Sequence, residues 1–206
     1  MTAPQHPPAR LTIRRGAART SISTSSAIDG LADLSFAGRR PAIDVGDDAV
    51  LISYPIIGLP GLQARSATVV LDERRAWTVE VSGGAGYLYA RLEDTSVQSI
   101  TIRGGAARTS LRLPHPAGAV PITIGGGVSH VDLRLPQGAG YRLDISGGVS
   151  NLVLDDQFLG SVGGPYHART PGLLDNDDHY SIAVGGGASR LSVTSSVTQQ
   201  RVTRAT

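Results

Sequence analysis

Three arginines, Arg91, Arg112 and Arg134, recur at intervals of 21 and 22 residues. A guanidinium repeated at fixed pitch suits anion binding, because its planar fork meets a carboxylate or phosphate through parallel hydrogen bonds. Side by side in water, such charges ~5 Å apart repel by roughly 0.8 kcal/mol per neighbouring pair, so the row calls for carboxylates or an anionic ligand. Asp132, Glu93 and Asp94 are near enough in sequence to supply carboxylates. Tyr87 and Tyr89 flank Leu88, and a strand here points both rings to one outer side, where a sugar or a protein surface can stack on them. These five residues form a candidate binding face.

Other reactive residue types are scattered. The run Asp175-Asn176-Asp177-Asp178-His179 has oxygen ligands at calcium-like density, yet lacks the central glycine and distant glutamate of an EF-hand loop and reads as a solvated turn. No pair among His6, His115, His130, His167 and His179 has zinc-ligand spacing. Nothing brings His167, Asp175 and a serine together, and no G-x-S-x-G elbow is present. The chain has no cysteine, and its 19 basic residues are all arginine, which excludes thiol, Schiff-base and P-loop lysine chemistry. No catalytic residue, metal site or cofactor is expected. A second candidate is an apolar pocket lined by Phe158, Tyr166, His167 and Tyr180.

The elements that must position these residues repeat. A diglycine followed by a small apolar residue occurs at Gly83-Gly84-Ala85, Gly104-Gly105-Ala106, Gly126-Gly127-Val128, Gly147-Gly148-Val149 and Gly186-Gly187-Ala188, with second glycines 21, 22, 21 and 39 residues apart. Five and three positions before the second glycine stand apolar pairs such as Ile100 and Ile102, or Ile122 and Ile124; four and six after it stand pairs such as Val131 and Leu133. Alternation of this kind is a strand with one buried face. Each unit therefore reads as strand, glycine corner, strand, turn. The glycine-rich runs recur with this period and precede strands, whereas phosphate cradles open helices, so their role is the corner. Segments such as Leu113-Pro114-His115-Pro116 supply the opposite turn.

Arg14 to Ser21 repeats Arg103 to Ser110 at seven of eight positions, which adds a sixth copy at the N-terminus. Gly46 reads as the anchor of a degraded seventh, with Ile43 before it and Val50, Ile52 and Tyr54 after it. Thr68 to Leu71 reads as a strand. The apolar loop from Pro55 to Leu62 has no place in the pattern. The expected fold is all-β: a single-stranded parallel β-solenoid of about 21–22-residue coils, with a terminal hairpin or cap formed by an insertion at about 155–180. Residues 1–10 and 194–206 are expected to be flexible segments around a solenoid domain at 11–193.

Composition agrees with a narrow core, since aromatic residues make up 4% of the chain while 26 residues are glycine. No window approaches 18 uninterrupted apolar residues, and prolines occupy the N-terminus where a signal peptide has an apolar stretch, so no transmembrane segment and a cytoplasmic location are expected. A net charge of +2 creates no strong field, and sequence-specific nucleic-acid binding is not expected.

The units Ile122 to Pro136 and Leu143 to Asp155 resemble those of the putative-adhesin group of bacterial β-strand-repeat proteins and the related toast-rack domains of cell-envelope stress proteins. The resemblance covers Trp77 to Val193, and more loosely Leu11 to Leu71. It implies a β-solenoid used for structure or interaction, with no common catalytic residue to carry over.

The reading is a non-enzymatic structural or interaction solenoid that presents an outer strand face to a protein partner or an anionic ligand, or self-associates as a scaffold. The alternative is an enzyme or small-molecule binder acting on an extended or carbohydrate-like ligand, along the face or under the insertion.

Overall fold

The structure is a computed structural model that describes residues 7–15, 17–55, 65–155 and 157–195. The apolar loop at 56–62, the tail at 196–206, Gly16 and His6 lie outside the described residues. Strand structure starts at Ala9 and runs to Ser195.

Two strands form each unit, one for each of two sheets. In chain order the strands are β1 (Ala9–Arg14), β2 (Arg19–Ser25), β3 (Ala32–Ala37), β4 (Ala42–Val45), β5 (Ala49–Ser53), β6 (Ser66–Asp72), β7 (Ala76–Ser82), β8 (Ala85–Arg91) and β9 (Ser96–Arg103). They continue with β10 (Ala106–Arg112), β11 (Ala119–Ile124), β12 (Val128–Leu135), β13 (Gly140–Ile145), β14 (Val149–Leu154), β15 (Gln157–Val162), β16 (Tyr166–Arg169), β17 (His179–Val184) and β18 (Ala188–Ser195). The described residues contain no helix, and so none long and apolar enough to cross a membrane.

The expected apolar columns face inward. In β12, Val128, Val131, Leu133 and Leu135 are buried while Ser129, His130 and Arg134 are exposed. A single apolar cluster takes side chains from both sheets, and each fully buried Val, Leu or Ile contributes roughly 1.5–3 kcal/mol. Trp77 is fully buried, and its indole N–H donates to the Asp72 carbonyl at 2.9 Å.

The arrangement is not a plain parallel stack. The first sheet runs β16-β13-β17-β11-β9-β7-β1-β5-β4 and the second β15-β14-β18-β12-β10-β8-β2-β6-β3. Interior neighbours are parallel, but β3, β4, β15 and β16 pair antiparallel with β6, β5, β14 and β13 at the four sheet edges. Nor does stacking follow chain order. The last pair, β17 and β18, is wedged between β11/β12 and β13/β14, and the first pair lies inside β5/β6. The physical reason is edge management. A terminal pair gains neighbours on both sides when an earlier or later pair moves outward, and an antiparallel strand closes an edge with only a short connection. The segment at 155–180, expected to form a terminal hairpin or cap, supplies β15 and β16, which close different sheets rather than forming a hairpin with each other.

The apparent seventh copy at Gly46 is corrected on the same grounds. Gly46 donates its N–H to Ala49 within the turn joining antiparallel β4 and β5, and Ile43 on β4 is exposed. Alternation on both sides of a hairpin turn mimics a unit.

The corners need glycine at the first position of each pair. Gly104 has φ +126°, and a Cβ there would stand 2.8 Å from the Gly83 carbonyl; a Cβ on Gly147 would stand 2.6 Å from that of Gly186. Backbones stack directly on one another at this corner. The following Ala85, Ala106, Val128, Val149 and Ala188 are buried, as their position predicts.

Candidate functional site

Alternation that buries one set of side chains in the second sheet projects three others outward, and parallel register aligns each set across the strands. Arg91, Arg112 and Arg134 are direct partners on β8, β10 and β12. Four residues toward the strand starts, a second row passes through Arg19, Tyr87, Arg108, His130 and Arg190 on β2, β8, β10, β12 and β18. Between them lie Ser21, Tyr89, Ser110, Asp132 and Ser192, also in register. Both outer rows are exposed while every middle residue is half-buried. The face is therefore a trough about 13 Å across from row to row, crossing strands about 4.8 Å apart.

Two depressions of about 530 and 480 Å³ lie along it and share Tyr89, Ser110 and Arg134. The Tyr87 and Tyr89 rings are parallel within 5°, with centroids 6.3 Å apart, and the Arg19 guanidinium carbon lies 5.7 Å from the Tyr87 centroid.

Charge along the trough is only partly compensated. Arg134 Nε donates to Asp132 at 3.0 Å, and Arg112 lies 3.7 Å from Glu93. Arg91, Arg108 and Arg190 make no ion pair among the described residues. The sequence reading named the Arg91 row and the tyrosines but not Arg19, Arg108, His130 or Arg190. The signal was present three positions after each second glycine, as Tyr87, Arg108, His130 and Arg190, but the intervening Asn151 hides it in chain order. Wedging β18 beside β12 removes that interruption.

The second candidate does not form. Tyr180 is fully buried on β17, and its hydroxyl donates to the Pro114 carbonyl at 2.7 Å; burial raises its pKa far above the usual tyrosine value. Phe158 is 67% exposed on β15 of the second sheet, whereas Tyr166 and His167 lie on β16 of the first. A tyrosine in the core and rings on opposite sheets cannot line one pocket.

His167 instead pairs with Asp144 on β13, Nδ1 to Oδ1 at 2.5 Å, in an open depression of about 450 Å³ that also holds Arg142 and Arg169. Antiparallel β16 creates this cluster, and no sequence period announces it. The acidic run behaves as a structured turn: Asp175 takes a hydrogen bond from Arg142 at 2.6 Å, Asp177 from the Leu174 N–H at 2.7 Å and Asp178 from the Gly118 N–H at 2.7 Å. Its oxygens are committed to separate partners rather than aimed at one point.

No protein-family model and no curated protein matches the chain. Among solved structures it is similar to a putative cell adhesion protein from Clostridium sporogenes, with a TM-score of 0.64 at 18% identity, over 90% of this chain and 92% of that one. At that identity the likeness is one of fold.

Proposed function

We propose that the chain is a non-enzymatic interaction module, a β-solenoid with capped ends whose second sheet presents an arginine-lined trough to an extended anionic partner. The observation that carries this reading is the uncompensated charge: two in-register basic rows in which Arg91, Arg108 and Arg190 have no carboxylate among the described residues. Core-locked strands hold those positions before any ligand arrives, so little ordering is needed on binding.

The disposition of carboxylates favours binding over hydrolysis. Glu80 faces Arg103 at 3.4 Å, Asp132 pairs with Arg134, Asp144 with His167, and Asp155 accepts from the Ser195 N–H at 2.8 Å. Each is committed to a partner of its own, whereas glycoside hydrolysis needs two carboxyl groups facing one bond. At the ends of the stack, the edge strands of the first sheet, β4 and β16, have four residues each and offer little backbone for strand addition, whereas β3 and β15 of the second sheet have six. The neighbour's description as a putative cell adhesion protein points toward interaction too, at the level of fold.

The test is titration with three soluble polyanions, polygalacturonate, polyglutamate and poly(dT), over a series of salt concentrations. The wild-type protein binds at least one, with affinity falling as salt rises, and Arg91→Gln/Arg112→Gln/Arg134→Gln loses tenfold or more while its melting curve is unchanged. No binding at low salt, or full binding by the triple variant, removes the reading.

A further inference from the structure

Resting on that reading, we infer that the ligand of the trough is an acidic polysaccharide of the polyuronate type, lying across the strands along the direction of stacking. Three features of the trough point to this chemistry.

The first is pitch. Arg91, Arg112 and Arg134 repeat at the strand spacing, about 4.8 Å. That is close to the advance of one sugar in an extended chain, whose carboxylates fall to alternate sides of a two-fold ribbon, so successive sugars can meet guanidinium groups on the two banks in turn. Arg108 and Arg190 on the opposite bank hold the chain from its other side.

The second is the floor. Ser21, Ser110 and Ser192 make no side-chain hydrogen bond among the described residues, although all three are half-buried. Hydroxyls that can both donate and accept suit the dense hydroxyls of a sugar chain. An acidic peptide offers them its carboxylates and carbonyls as acceptors, but only backbone N–H groups as donors.

The third is the placing of aromatic rings. Single-stranded nucleic acid is held by aromatic platforms on which successive bases stack. Here the tyrosine rings are confined to one strand, where Tyr87 and Tyr89 stand side by side; the adjacent strands carry Ser21, Ser110, Arg19 and Arg108, and the trough's His130 ring stands two strands away on β12. One aromatic step in a hydroxyl-lined trough can receive one sugar ring; it does not serve a run of bases.

The experiment compares polygalacturonate with polyglutamate, poly(dT) and uncharged dextran at about physiological salt, using wild-type protein, Tyr87→Ala/Tyr89→Ala, Ser110→Ala/Ser192→Ala and Arg108→Gln/Arg190→Gln. Polygalacturonate is expected to bind at least tenfold more tightly than either other polyanion, with no binding to dextran. The tyrosine and serine pairs should each weaken polygalacturonate severalfold and leave residual polyglutamate binding unchanged, while the arginine pair weakens both. Equal affinity for all three polyanions, or preference for poly(dT) or polyglutamate, overturns the polysaccharide inference and leaves the anionic trough standing. Binding to none overturns both. Matched melting curves and circular dichroism for all variants exclude misfolding as the cause.

Discussion

The Tyr180 hydroxyl donates to the Pro114 carbonyl at 2.7 Å across 66 residues of chain, inside the core. The contact exists because β17, which starts at His179, docks against β11 rather than following β13 and β14 to the end of the stack. It fastens the last strand pair to the proline turn that precedes β11.

Tyr180→Phe keeps the ring and removes the donor, leaving the Pro114 carbonyl unpaired in the interior. Equilibrium urea unfolding should show a loss of about 1–2 kcal/mol. An unchanged midpoint would mean that the bond does not fasten β17.

Thr109 occupies an inward position between Leu88 and Val131, and its hydroxyl is buried without a partner among the described residues. Thr109→Val removes an unsatisfied polar group at nearly constant volume and should stabilise the fold by about 1 kcal/mol. Thermal unfolding reads the effect, and a lower melting temperature would count against a dry hydroxyl.

At the glycine corner, Gly104→Ala combines a φ of +126° with a Cβ 2.8 Å from the Gly83 carbonyl. The expected cost is about 2–4 kcal/mol, whereas Gly118→Ala, at φ +73° with open space around it, should cost about 1–2 kcal/mol. Equal losses in chemical denaturation would show that close backbone stacking is not what the corner requires.

Burial of the Asp72 carboxyl acts to raise its pKa, but hydrogen bonds from the Arg74 side chain and N–H, with the charges of Arg74 and Arg75, outweigh it and hold the value below the ordinary one. A carboxyl lowered in the folded state stabilises the protein above its unfolded pKa. That contribution disappears as pH falls through the folded value. Asp72→Asn should therefore lose stability at neutral pH and show a shallower decline than wild type below about pH 4. Parallel acid-unfolding curves would contradict this.

Much of the architecture was legible because it is written in local periods. The inward residues Ile122, Ile124, Val131 and Leu133 follow from alternation and from their offset to Gly127, and all four are buried. The Arg91, Arg112 and Arg134 row was legible for the same reason: those three units are consecutive both in the chain and in the stack. Arg190 was not, because it joins the trough only through the pairing of β18 with β12, across an intervening unit and cap. Tyr180 was misjudged although the period marks it: it stands seven positions before Gly187, as Trp77, Val120 and Tyr141 stand before Gly84, Gly127 and Gly148, and all four are buried, but the alternation was followed only five positions back and the hydroxyl's partner is a carbonyl distant in sequence.

By itself, then, the sequence determined the repeating strand, the glycine corner, the buried columns and one of the two basic rows, since each depends on side-chain period and backbone sterics within about 20 residues. Tertiary structure alone decided the order of stacking, the antiparallel caps, the His167–Asp144 pair and the completed trough. Those features depend on which edge each strand pair occupies, and that is settled by which arrangement leaves the fewest unpaired backbone groups and the least apolar surface at the ends of the stack.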